Sequence, residues 1–145
     1  MIMTDSGFKA LQNRVIGDMQ QVFTAAVVDH AMNPRNVGSI DNADAFAVLS
    51  SDCGENMEIW LRIKNERIKE IRFWSDGCGA TIACGSLVTE LALGKNLTNA
   101  WKIDEQILVK LFGGLPEGNV HCAELAVNTL KEAIKDYRNR QKSEK

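Results

Sequence analysis

Apolar residues recur along this chain with two different periods and in one continuous run, and the changes between them mark its elements. From Phe8 to His30 they fall at Phe8, Leu11, Val15, Met19, Val22, Phe23, Ala26 and Val27, which is one stripe of an amphipathic helix. Pro34 closes that pattern, because a proline disfavours helical backbone in the residue before it. The short apolar run Ala45 to Leu49 reads as a buried strand. Next, Ile59, Leu61 and Ile63 alternate with Trp60, Arg62 and Lys64, and then Ile71 and Phe73 alternate with Glu70, Arg72 and Trp74. Alternation at period two is the mark of a strand with one buried face.

The pairing of the last two strands follows from keeping like faces together. A two-residue loop at Asn65-Glu66 would set Ile71 against Trp60, whereas a three-residue loop, Asn65 to Arg67, sets Ile59, Leu61 and Ile63 against Phe73, Ile71 and Lys69. It also brings Arg62 opposite Glu70. After Gly77 the spacing turns helical again at Ala80, Ala83, Cys84, Leu87 and Leu91, with Gly94 placed to end the helix. Thr98 and Asp104 are expected to cap two short helices, and Gly113, Gly114 and Pro116 break the chain. A final stripe runs through Cys122, Leu125, Ala126, Thr129, Leu130, Ala133, Ile134 and Tyr137. The expected fold is α+β: a three-stranded antiparallel meander packed against several helices, with a long N-terminal and a long C-terminal helix. One domain over residues 1–145 is expected, with 1–20 as a helical extension and 139–145 as a charged tail that frays.

Composition narrows the class of function. The chain has 145 residues, 45% of them hydrophobic and 25% charged, as in an ordinary globular protein. No apolar run approaches the roughly 18 residues of a membrane span. No export signal opens the sequence, so a reducing cytoplasm is the expected compartment. A net charge of -2 provides no basic field for nucleic acid. Four cysteines in such a setting are read as metal ligands, reactive thiols or core fillers rather than disulfides.

Three of them sit at element ends. Cys53 lies in Asp52-Cys53-Gly54-Glu55-Asn56 between the first two strands, and Cys78 lies in Gly77-Cys78-Gly79 just past the third. In a meander both positions fall at one sheet edge. Cys122 opens the last helix, where the helix dipole favours a thiolate. Soft thiolates select zinc or iron-sulfur chemistry over magnesium or calcium. Glu55 and His121 can each supply a fourth ligand, and the choice between them stays open. Cysteine is also among the most buried residue types. That reading wins for Cys84, which lies about 240° around the helix from Cys78 within an apolar stripe. It also suits His30, taken as a partly buried, hydrogen-bonded histidine. Trp60 and Trp74 share the otherwise polar sheet face.

Read in order, Val28-Asp29-His30 with Asn33-Pro34-Arg35-Asn36-Val37-Gly38, then Cys53-Gly54, then Gly77-Cys78-Gly79 with Ile82-Ala83, then His121-Cys122, resemble the signature of the IscU/NifU N-terminal family of iron-sulfur cluster assembly scaffolds. The resemblance spans about residues 22 to 138. It implies a carrier rather than an enzyme: a protein that takes sulfur from a cysteine desulfurase, assembles a labile [2Fe-2S] cluster with iron, and donates it to apo-proteins. By motif match it makes Cys53, Cys78 and Cys122 the cluster ligands, Cys122 the persulfide acceptor and His121 an auxiliary ligand. Zinc is expected on the same thiolates, with Glu55 or His121, when iron is absent. A homodimer is left open. The chain departs from the family at Glu55, where aspartate is usual, and at Cys84, where a small residue such as serine is common. It also departs at Leu115-Pro116-Glu117-Gly118-Asn119, where one branch carries the Leu-Pro-Pro-Val-Lys segment read by an Hsp70-type chaperone. That last departure argues against dependence on the chaperone. The rival reading, a zinc-dependent sulfur carrier of the SufU type, is disfavoured because that branch carries an insertion between its second and third cysteines.

Overall fold

The computed structural model describes residues 22–143. Helix α1 (Ala25–Met32) is followed by strands β1 (Ala45–Ser50), β2 (Asn56–Lys64) and β3 (Arg67–Ser75), then by helices α2 (Gly79–Ala92), α3 (Leu97–Trp101), α4 (Glu105–Leu111) and α5 (Val120–Ser143). The strands form one antiparallel sheet in the order β1-β2-β3. This is the α+β meander expected, and the C-terminal helix is long, at 24 residues.

The first helix among the described residues is short. No single helix runs from Phe8 through Val27, because Thr24 is extended (φ -68°, ψ 162°) and caps an eight-residue helix with its side chain, which accepts the Val27 N–H. The Thr24 hydroxyl also donates to the Phe112 carbonyl, tying the cap to the end of α4. Residues 1–21, including the expected extension 1–20, lie outside the described residues. At the other end, α5 stays helical to Ser143, through most of the tail expected to fray. Arg140 pairs with Asp136 at 3.0 Å and Gln141 donates to the Tyr137 hydroxyl, both one turn back along the helix.

The β2–β3 hairpin corrects the expected loop and explains why the register still came out. Asn65 and Glu66 both have left-handed backbone (φ 54° and 63°), so the turn has two residues and Lys64 pairs with Arg67. The twist of such a turn matches that of the flanking strands. A bulge between Arg62 and Ile63 then absorbs the odd residue. Ile63 therefore faces Ile68 rather than Lys69, while Ile59↔Phe73, Leu61↔Ile71 and Arg62↔Glu70 pair as expected. The bulge lets Ile68 and Ile71, three residues apart, both point into the core.

That core lies between one sheet face and the helices. Met57, Ile59, Leu61, Ile71 and Phe73 pack beneath α2 and α5, and α2 is itself covered by α1, so it is buried almost all round rather than along one stripe. Gly85 permits the contact: a Cβ there would lie 2.5 Å from the Phe73 ring. His30 is buried, with Nδ1 2.8 Å from the Ser86 hydroxyl. Asn96, not Thr98, caps α3, and Asp104 caps α4 by accepting the Ile107 N–H at 2.9 Å. Among the described residues no helix is long and apolar enough to cross a membrane.

Candidate metal centre

One end of the sheet gathers the chemistry. The β1–β2 loop closes on itself, with Ser51 N–H donating to the Glu55 carbonyl at 2.8 Å and Glu55 N–H reaching the Ser51 hydroxyl at 3.3 Å. Gly54, at φ +85°, makes the tight return that a side chain would strain. This leaves Cys53 exposed while Glu55 turns inward, 18% exposed. The loop is then clamped to the end of β3. Asp76 accepts both the backbone and the side-chain N–H of Asn56, at 2.8 and 2.9 Å, and Ser75 Oγ donates to the Asn56 carbonyl. These bonds hold the Asp76 carboxyl below its ordinary range. Two residues on, Cys78 is the N-cap of α2 and is exposed. Sheet topology thus brings Cys53 and Cys78 to one edge.

Cys122 reaches the same place from α5. It is the third residue of that helix and fully buried, with His121 beside it and half-exposed. His121 Nε2 lies 3.7 Å from Cys122 Sγ and 3.7 Å from Glu55 Oε2. The ligand atoms of Glu55, His121 and Cys122 all fall within 4.8 Å of one another. Ligands sharing a tetrahedral metal at about 2.0 to 2.3 Å sit about 3.6 Å apart, so these side chains fit a metal with little movement. Both fourth-ligand candidates are therefore beside Cys122. Cys78 is one step removed, through the Thr81 hydroxyl, and Cys53 stands on the wall of a cavity of about 380 Å³ that it shares with His121 and Glu124.

The electrostatics of Cys122 differ from the expectation for a helix start. Its thiol is pushed up, first by burial, and further by the nearby Cys78 and Glu55, against hydrogen bonds from Thr81 and Asn119 that favour the thiolate. Desolvation outweighs the hydrogen bonds that favour the thiolate. Cys84 is fully buried in the hydrophobic core, and burial raises its thiol far above the usual range, with Cys122, Cys78 and Glu55 adding to the effect.

One residue at the centre of the site was missed in the sequence. Thr81 is fully buried, and its hydroxyl lies 2.9 Å from Glu55 Oε2, 3.3 Å from Cys122 Sγ and 3.6 Å from Cys78 Sγ. The signal available was its position three residues after Cys78, on the same face of the first turn of α2. It becomes legible only once Cys78 is known to be the N-cap.

Residues 22–144 match the family model described as the NifU-like N terminal domain. The chain is 41% identical over 117 residues to an Archaeoglobus fulgidus protein named iron-sulfur cluster assembly scaffold protein IscU 1, covering 80% of this chain and 76% of that one. It is 36% identical over 118 residues to the Aquifex aeolicus iron-sulfur cluster assembly scaffold protein IscU, covering 79% and 75%. Among solved structures, one from Fervidobacterium islandicum described as a putative assembly scaffold for the SUF system superposes with a TM-score of 0.65 at 19% identity, covering 79% of this chain and 98% of that one. The last is a likeness of fold alone.

Proposed function

The chain belongs to the family of NifU-like N-terminal domains, and from that premise we infer that it is an iron-sulfur cluster assembly scaffold, a carrier whose cargo is the cluster. The observation that carries this reading is the meeting of Glu55, His121 and Cys122, with Cys78 one hydroxyl away and Cys53 on the adjoining loop. We propose a [2Fe-2S] cargo held by Cys53, Cys78 and Cys122, with Glu55 or His121 as the fourth ligand. Cys53 and Cys78 are exposed and loop-borne, which suits ligands that must close around incoming iron and open again. Three thiolates and one weaker ligand hold a cluster less firmly than four thiolates do, and a donor must release its cargo.

Sulfur arrives, on this reading, from the persulfide of a cysteine desulfurase. The Cys122 sulfur attacks the terminal sulfur, a new S–S bond forms, and the donor cysteine leaves as its thiolate. Burial keeps Cys122 protonated, so the transfer needs a proton acceptor, and His121 Nε2 at 3.7 Å stands in that position. Apo-proteins with free thiolates are the proposed recipients. The same donor set accepts zinc when iron is absent, since nitrogen, oxygen and sulfur ligands all suit that ion. All four cysteines are free thiols, and a reducing cytoplasm is the compartment we propose.

Anaerobic reconstitution with ferrous iron and sulfide, followed by absorption and circular dichroism spectra, tests the reading. Wild type should give a [2Fe-2S] spectrum, and serine at Cys53, Cys78 or Cys122 should each sharply lower the yield. Full and stable reconstitution of all three single variants would remove them as ligands.

A further inference from the structure

A threonine hydroxyl carries one proton and two acceptor positions, yet the Thr81 hydroxyl has three ligand atoms within reach. Glu55 Oε2 is at 2.9 Å, Cys122 Sγ at 3.3 Å and Cys78 Sγ at 3.6 Å. These come from three separate parts of the chain: the β1–β2 loop, the start of α5 and the start of α2. Its one proton can go to Glu55 or to Cys122, and the carboxylate takes it in preference, because a charged acceptor makes the stronger bond.

The hydroxyl is also held in place. Thr81 is fully buried, and β-branching limits its rotamers. Gly77 passes so close that a Cβ there would lie 2.7 Å from both Cβ and Cγ2 of Thr81 and 2.9 Å from its Oγ1. Glycine at 77 is thus the space into which Thr81 packs. A rigid, buried donor aimed at a loop carboxylate has more consequence than a flexible surface one.

We propose that Thr81 is a positioning residue for the metal centre: its hydroxyl holds the Glu55 carboxylate toward Cys122 and His121, so that the site is assembled as a ligand set before iron arrives. This rests on the scaffold reading for the identity of the cargo, but not for the geometry. A purely structural threonine would fill the space beside Gly77 equally well without its hydroxyl.

The test compares wild type, Thr81→Val, which keeps the shape and removes the hydroxyl, and Thr81→Ser, which keeps the hydroxyl. Each is titrated anaerobically with Co²⁺ alone, following the thiolate charge-transfer and d–d bands, with affinity fixed by chelator competition and the fold checked by thermal melting. Supporting residues around metal ligands commonly contribute a factor of 10 to 100 in affinity, so Thr81→Val should bind Co²⁺ about tenfold more weakly. Thr81→Ser should stay within about twofold of wild type. In a Glu55→Ala background Thr81→Val should have no further effect, as expected when one residue acts through the other. If Thr81→Val does not melt cooperatively, Thr81→Ala takes its place in both backgrounds. Equal Co²⁺ affinity with and without the hydroxyl overturns the proposal, as does a loss that persists in full without Glu55. Wild type is also reconstituted with iron and sulfide. Failure to form a cluster there, with the Co²⁺ pattern intact, would sink the scaffold reading and leave Thr81 as a positioning residue of a different metal centre.

Discussion

Cys84 is the most exposed point of the ligand assignment to experiment, because it lies within electrostatic reach of Cys122, Cys78 and Glu55 and yet is assigned to the core. Replacing it with serine puts a hydroxyl where the thiol has no hydrogen-bond partner among the described residues. A buried hydroxyl without a partner costs about 1 to 3 kcal/mol. Part of that is recovered if the serine donates to the Ala80 carbonyl one turn back, as helical serines do, leaving about 1 to 2 kcal/mol. For a chain of this size each kcal/mol shifts Tm by about 3 to 4 °C, so Cys84→Ser should melt about 3 to 8 °C lower. Cys84→Ala removes the sulfur without adding a polar atom and should cost about 1 kcal/mol, on the scale of one buried methylene. Both variants, reconstituted well below their melting temperatures, should take up cluster as wild type does. Calorimetry gives the first quantity and the [2Fe-2S] absorbance per chain the second. The reasoning fails if cluster yield collapses in either variant while Tm is unchanged, since that is the signature of a lost ligand rather than a disturbed core.

Two further outcomes follow from the same geometry. Glu55→Asp withdraws the carboxylate by about one C–C bond, roughly 1.5 Å, from Thr81, and should change the rate of cluster transfer to an apo-ferredoxin; Glu55→Ala should slow release, by trapping the cluster or admitting His121 as a tighter ligand. Identical rates and spectra for all three proteins at matched loading would take Glu55 out of the site. His30 should make stability fall in mild acid, because burial, then Arg35, lower its pKa, against Glu90 and Asp29, which raise it. With the folded value below the ordinary 6.5, the stability due to the neutral ring is complete above about pH 6.5 and is lost as pH falls through the folded value. Urea denaturation at about pH 7.5 and about pH 5.5 should show a larger drop for wild type than for His30→Gln; equal drops would show that His30 is not the group responsible.

Local chemistry along the chain was enough to determine a good deal. Period-two alternation marked β2 and β3, helical spacing marked α2 and α5, and the Asp104 cap was legible because a side-chain cap is made with residues three positions away. The flanking glycines put Cys53 and Cys78 at loop ends, and the meander put those ends together, so two of the proposed ligands could be placed at one edge without coordinates. The start of α1 at Ala25, after the extended Thr24, was hidden because an apolar stripe does not show where helical backbone begins. A tertiary bond from Thr24 to Phe112 accompanies that start. The hairpin was hidden for a related reason: face-matching predicts pairing, but a bulge can restore the faces after a turn of either length.

What only the packed structure decided is the state of Cys122 and the role of Thr81. A helix N-terminus read from sequence favours a thiolate, but the full burial of Cys122 is a property of everything packed around it, and that burial pushes the thiol up. Thr81 reads as one small residue in an apolar helix until two segments far from it in sequence, carrying Glu55 and Cys122, converge on its hydroxyl. Periodicity and capping act within a few residues and so are written in the sequence, whereas dielectric surroundings and convergent hydrogen bonds depend on which distant segments the fold brings into contact.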